Sequence, residues 1–484
     1  VNLWLVGPES NHGQITGDFA TVASVCWSPD GSRLAFAGNN REGDSATFLY
    51  IWSHEEGVVG PVLPFTLEGM QIAWAPDGRS IAAVITHRGC FEVAVVALES
   101  GEHYLLPGHQ DQVSTMHPCG ESLVLGGSGY TQLDELYLSA WAPEAERRRL
   151  TSLNTELSAT LPVSCTRRSF EVPSGNGSAE SVDAWILQPT KQQKGPLPLL
   201  VDFHGGPHSV ALMDFAAHVY VYQAVAEGWT VVAPNPVGSN GYGKDFEKRL
   251  IGRWGELDLP QVESIVEQLR LEGIAGETVA CAGKSYGGFL SAWAICHSDT
   301  FSAAVVSAPV ANMQSHAGTS DSGYYVTPYA MDGQPDACPD RYRSLSPLSH
   351  VSSARGPVLL LNGAEDQRCP TGQCEELMAG LACRSRQPVQ MVVYPGGTHS
   401  LAATGRPSHR RDYHQRIIRF LNRARKAEQE QGKVVAQETA FGHQDVGPFE
   451  EPQANALGVD TRSTSMDSCV SGAAAAMSSF SMTT

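Results

Sequence analysis

The stretch that most constrains this chain is Gly283-Lys284-Ser285-Tyr286-Gly287-Gly288. An apolar, strand-forming run at 278–282 precedes it, and a helix-forming run at 289–296 follows. A strand, a glycine-bracketed turn and a helix, with G-x-S-x-G at the turn, form a sharp elbow. The glycines remove Cβ atoms that would clash there. Such an elbow pushes the serine Oγ out at the C-terminal end of a sheet, where a substrate carbonyl can reach it. Short Gly/Ser patterns recur by chance, so the flanking strand and helix give this one its meaning.

From residue 196 onward, short β-rich runs alternate with helical stretches. The strands are expected at 197–203, 229–233, 278–282, 303–307, 358–361 and 389–394. Helices are expected at roughly 213–227, 259–272, 286–297, 371–383 and 411–430. Continuous apolar strands spaced by helices predict a mostly parallel, doubly wound sheet covered on both faces. With the elbow, this is the α/β-hydrolase pattern, assigned to 196–430.

Residues 1–157 carry a different pattern. Trp27-Ser-Pro-Asp30-Gly31 and Trp74-Ala-Pro-Asp77-Gly78 each end one strand and lead into another. A degenerate third copy runs from Met116 through Pro118 to Gly120, and a further strand follows each copy. Proline presets φ for such a turn and glycine supplies a positive φ. Multistranded repeats of about 40–50 residues are the signature of β-propeller blades. Residues 1–157 suffice for about three, fewer than the typical 4–8. The chain opens on Val1, inside an apparent strand, so an incomplete, N-terminally truncated propeller is expected, with further blades upstream. Residues 158–195 read as a linking hairpin. Residues 431–484 lose periodicity and end in Ser, Thr, Ala and Met, which predicts a disordered tail.

Composition excludes some function classes. The 484 residues carry 51 acids against 33 Lys and Arg, a net charge of −18, which repels nucleic acid. No apolar run reaches the ~18–20 residues of a membrane span. The eleven cysteines are scattered without a CxxC pair, which favours a reduced, cytoplasmic chain. Cys369 and Cys374 lack the His or Cys partners of a metal site.

A serine nucleophile needs a base, and the base needs an orienting acid, in the chain order Ser, Asp or Glu, His. The loop after 358–361 offers Asp366, with Glu365 as rival acid, and the loop after 389–394 offers His399. The oxyanion needs two backbone donors. Tyr286, next after the nucleophile, supplies one, and the loop His204-Gly205-Gly206-Pro207-His208 supplies the other, with Gly206 favoured.

Several motifs resemble the prolyl oligopeptidase family, near its acylaminoacyl-peptidase and dipeptidyl-aminopeptidase-like branch. They are the 204–208 loop, the Asn235–Gly243 segment, Gly252-Arg-Trp-Gly255, the elbow, Asp366-Gln-Arg-Cys-Pro370 with Gln373, and Gly397-Thr-His399. Arg149, Thr151 and Asn154 resemble the end of that family's propeller. The resemblance spans about residues 1–424. It implies a serine peptidase with Ser285, Asp366 and His399 as triad, Gly206 and Tyr286 as oxyanion donors, and a propeller that screens substrates by size. Two positions depart from the family pattern: Val237 stands where arginine is usual, and Cys369 where valine is usual. Glu55-Glu56, the one adjacent glutamate pair in the repeats, reads as solvated surface rather than an amine anchor.

The sequence therefore predicts a serine peptidase acting on short peptides, with no metal or cofactor required and no nucleic-acid or membrane partner. A homo-oligomer is left open. A carboxylesterase on the same fold and a non-enzymatic propeller interaction protein are the rival readings.

Overall fold

A computed structural model of the chain describes residues 2–7, 12–108, 112–191, 195–211 and 214–441. The strands Trp4–Val6 and His12–Gln14 pair antiparallel. Three four-stranded units follow. The first is Thr21–Trp27, Arg33–Asn39, Phe48–Ser53 and Gly57–Val59. The second is Leu67–Trp74, Ser80–His87, Cys90–Ala97 and His103–Leu105. The third is Gln112–Cys119, Ser122–Ser128, Glu135–Ala140 and Arg148–Arg149. They fall in the stretch read as propeller blades, and the second and third join edge to edge where Gln112 pairs with Phe91.

Turn chemistry explains the repeat. Gly31 and Gly78 take φ of 70° and 67°. The Asp30 carboxylate accepts the Ser32 amide at 3.0 Å, and Asp77 accepts that of Arg79 at 2.9 Å. These side chains close the turn on their own backbone. Trp74 fastens the second unit to the first: its indole N–H donates to Cys26 O at 2.9 Å, and the Arg33 guanidinium lies 5.0 Å from the ring. Trp27, at the matching place in the first unit, is 47% exposed.

The second part is one eight-stranded sheet. Its strands are β1 (Val163–Pro173), β2 (Ala179–Pro189), β3 (Leu197–Phe203), β4 (Thr230–Pro234), β5 (Ala275–Lys284), β6 (Ala303–Ser307), β7 (Val358–Gly363) and β8 (Val389–Tyr394). Their order is β1-β2-β4-β3-β5-β6-β7-β8. The β1–β2 and β2–β4 pairs are antiparallel and the rest parallel. The linking hairpin is thus the first two strands of the catalytic sheet. Its β2 pairs with β4 through Ala184–Leu187, so it is more than a tether.

Side-chain alternation builds two cores. Leu199, Val201 and Phe203 of β3 face one, with Val279 and Cys281 of β5. Leu200, Ala280 and Ala282 face the other. The helices Asp258–Leu271, Tyr286–His297 and Thr371–Arg384 cover the first face. Val219–Ala226 and the Tyr413–Leu421 part of the helix Pro407–Phe441 cover the second. That last helix enters the stretch expected to be a disordered tail. Residues 442–484 lie outside the described residues. Among the described residues, no helix is long and apolar enough to cross a membrane.

Residues 308–357, which no motif organised, hold the short helices Met313–Thr319, Gly323–Ala330 and Pro339–Ser344 and a 3-10 segment, Pro347–Ser353.

The blades rest directly on the sheet domain. Arg88 pairs with buried Asp183 at 3.2 Å, and the Trp185 indole donates to Gly89 O at 3.4 Å. Gly43, in a loop of the first blade, lies so close to Tyr329 that a Cβ there would meet the tyrosine Cβ at 2.4 Å. Buried Glu247 lies near the same contact, 3.6 Å from His208 Nδ1. Burial, and next the Asp44 carboxylate, push Glu247 up to about 8. A raised carboxyl pKa stabilises the fold below the unfolded value and loses that contribution as pH rises through about 8. Glu247→Gln mimics the protonated acid. Its thermal midpoint should pull ahead of the parent's between pH 5 and 8, by on the order of 4 kcal/mol in stability at the upper end. Parallel pH profiles for the two proteins would contradict this.

Candidate active site

Ser285 lies between the last residue of β5 and the helix Tyr286–His297, with φ 63° and ψ −121°. Non-glycine residues rarely take this conformation, and it persists only where surroundings force it. Here the forcing contacts are backbone. A Cβ on Gly283 would meet Gly287 O at 2.4 Å, and one on Gly287 would meet Phe203 O at 2.1 Å. The glycines let helix, strand and β3 approach closely enough to hold the turn. The Ser285 amide donates to Ser307 O on β6 at 3.0 Å.

The loops after β7 and β8 are laced together. The Glu365 amide donates to Gly397 O at 2.8 Å and the Ala364 amide to Tyr394 O at 3.0 Å. This pairing sets Asp366 against His399, with Oδ2 2.7 Å from Nδ1. Asp366 Oδ1 accepts the amides of Arg368 at 3.0 Å and Cys369 at 2.9 Å. Asp366 is buried and Glu365 exposed, so the carboxylate that meets the imidazole is Asp366.

Ser285, His399, Gly206 and Tyr286 line one cavity of about 290 Å³. Among the described residues the Ser285 hydroxyl has one polar contact, Cys369 Sγ at 4.0 Å, and no hydrogen bond joins it to His399. Gly206 takes φ 121°. Neither its amide nor that of Tyr286 has a protein acceptor among the described residues, which leaves both free for an oxyanion.

Surrounding groups hold these parts. His204 contacts Gly205 O through Nδ1 at 2.6 Å and Ser239 Oγ through Nε2 at 2.9 Å, which anchors the 204–208 loop. Burial pushes it down to about 4, so it is neutral at neutral pH. The Tyr286 hydroxyl donates to buried Asp258, which burial pushes up to about 6. Trp254 packs edge-on to the Tyr286 ring at 4.7 Å. His316, pushed down to about 4 by burial, bonds Thr327 and Arg368 O.

The structure brings together the three polar residues and the two amides to which the sequence pattern pointed. That pattern missed most of the wall. Val310, Met313, Val326 and Ala330 come from the 308–357 segment, and Gly43 and Ser45 come from the first blade. Trp254 stood in a recognised motif, but nothing indicated its place beneath Tyr286. Glu55 and Glu56 are exposed in the turn after Phe48–Ser53, as expected.

A serine on a strained elbow after β5, an acid after β7 and a histidine after β8 define an α/β-hydrolase, here preceded by propeller blades. Residues 214–428 match the model of the Prolyl oligopeptidase family, and this part of the chain is a domain of that family. The uncharacterized peptidase YuxL of Bacillus subtilis is 26% identical over 345 residues, which are 70% of this chain and 51% of that protein. The acylamino-acid-releasing enzyme of Mus musculus is 34% identical over 235 residues, 46% of this chain and 31% of that protein. A solved acylaminoacyl peptidase, in complex with Z-Gly-Gly-Phe-chloromethyl ketone, superposes with a TM-score of 0.75 at 23% identity. It covers 87% of this chain and 65% of that one. The chain thus spans about half or less of the length of these two curated relatives.

Proposed function

We propose that this chain is a serine peptidase that hydrolyses short peptides, of acylaminoacyl, aminoacyl or dipeptidyl type, through an acyl-enzyme. One observation carries the reading: Ser285, on its forced elbow, shares a cavity with an imidazole whose far nitrogen is bonded to a buried carboxylate. In this mechanism His399 Nε2 takes the hydroxyl proton as Ser285 Oγ bonds to the substrate carbonyl carbon. The Gly206 and Tyr286 amides receive the negative oxygen. The intermediate then collapses, the C–N bond breaks, and His399 passes the proton to the leaving nitrogen. Water repeats the sequence on the serine ester and restores Ser285. Asp366 stays ionised, holding the tautomer with its proton on Nδ1 and stabilising the imidazolium.

The cavity beside Ser285 suits an apolar side chain on the acyl side of the scissile bond, because Val310, Met313, Val326 and Trp254 wall it. The blades, assigned to 1–157, reach that wall through Gly43 and Ser45, and limit substrate size by crowding its mouth. Chromogenic anilides of acyl-amino acids, free amino acids and dipeptides, assayed beside a p-nitrophenyl ester, test the reading. Cleavage of at least one anilide class is expected, with Phe or Leu preferred to Asp or Lys before the bond. Cleavage of the ester alone would contradict it and favour a carboxylesterase.

A further inference from the structure

Ser285 borders a second cavity, of about 380 Å³, which shares only Gly206, Ser285 and His399 with the first. Its character differs. Lys284, His204, Asp214, His218 and Ser400 line it, where the first is mainly apolar. Just past the histidine, Ser400, Ala402 and Ala403 form part of its wall.

The direction of proton transfer assigns this space. On the acyl-transfer reading, on which this inference rests, the leaving nitrogen takes its proton from His399. The acyl group fills the apolar cavity. The leaving group then lies in the remaining space that borders both Ser285 and His399, which is the second cavity; a third cavity beside His399 does not reach Ser285. At about 380 Å³ it is near the small end of ligand sites.

Among the described residues, Lys284 is the one lysine or arginine that lines it. It occupies the elbow position just before the nucleophile. Its ammonium donates to His399 O at 3.0 Å, one of three available donors. Burial lowers its pKa, and the nearby carboxylates Asp366 and Asp214 oppose that shift. Asp214 is held by its own loop: its Oδ1 accepts the amides of Ala216 at 2.9 Å and Ala217 at 3.3 Å. His204 is neutral. The site therefore offers a cationic donor next to the scissile bond. In a leaving amino acid the α-carboxylate follows directly after the nitrogen and Cα. We propose that the second cavity is a leaving-group subsite in which Lys284 receives that carboxylate. The chain then favours substrates with a single C-terminal residue after the scissile bond.

The test compares acetyl-Phe-Ala, acetyl-Phe-Ala-amide and acetyl-Phe p-nitroanilide on the parent protein, Lys284→Met and Lys284→Arg. The parent should prefer the free acid over the amide about tenfold or more in kcat/KM, the scale of a charge-assisted hydrogen bond. Lys284→Met should bring the ratio to about one, and Lys284→Arg should keep part of it. Losing the bond to His399 O lowers absolute rates on all three substrates, so the ratio is the readout. If Lys284→Met does not fold, the parent still decides: alanine should inhibit competitively and alaninamide more weakly. A parent ratio near one, or a ratio unchanged in Lys284→Met, overturns the subsite. Anilide cleavage without any preference for the acid overturns the subsite and leaves the peptidase reading standing. No cleavage of the three, with Ser285 unreactive to a fluorophosphonate, overturns both.

Discussion

Ser285→Ala is expected to lower turnover of the best anilide by about 10⁴–10⁶ while the protein remains folded. The loss is large because the other parts act only through the nucleophile. Without Oγ, His399 has no proton to take and the two amides have no covalent oxyanion to receive. What remains is binding and polarisation of the carbonyl, which still exceeds the reaction in water. The fold should survive the change because backbone contacts hold the elbow. Gly283 and Gly287 pack against Gly287 O and Phe203 O, and the residue 285 amide keeps its bond to Ser307 O. Steady-state rates with circular dichroism on the same sample check both halves. Residual turnover above about 1% of the parent would exclude Ser285 as nucleophile.

Asp366→Asn should reduce kcat by about 10⁴. The direction follows from the hydrogen bonds around the carboxylate. Oδ1 accepts two backbone amides, from Arg368 and Cys369, so the asparagine carbonyl must stay there. Its NH2 is left facing His399 Nδ1, in the place of Oδ2. Two donors cannot face each other, so Nδ1 gives up its proton and becomes an acceptor. The proton moves to Nε2, where the imidazole can no longer take one from Ser285. Glu365→Gln should change kcat less than about twofold, since its exposed side chain meets none of these groups. The reverse ranking would place the acid one residue earlier.

Parts of the architecture that depend on local backbone chemistry were legible in the sequence. The Pro-Asp-Gly turns need a positive φ and a side chain that closes on its own backbone, and both requirements show in residue type. The elbow needs glycines on both sides of Ser285 for the same kind of reason. The acid was ambiguous by one residue because Glu365 and Asp366 share a loop. Two amides further along, at Arg368 and Cys369, decide which is buried, and amides leave no trace in residue type. The 308–357 segment was illegible because its helices are short, and one of them contains Pro328, so no 3.6-residue pattern develops. That segment and the Gly43–Ser45 loop shape the apolar cavity through contacts distant in sequence. Lys284 was visible as a letter in the elbow, but its reach to His399 O depends on how the β5 and β8 loops meet.

The proposed mechanism stands or falls with Ser285 as an activated nucleophile. Labelling the protein with a fluorophosphonate and mapping the adduct by peptide mass spectrometry tests it most directly, because only an activated hydroxyl attacks phosphorus quickly. A single adduct on Ser285 is expected, lost in Ser285→Ala and strongly slowed in Asp366→Asn. An adduct on another serine, or labelling that persists in Ser285→Ala, would contradict it.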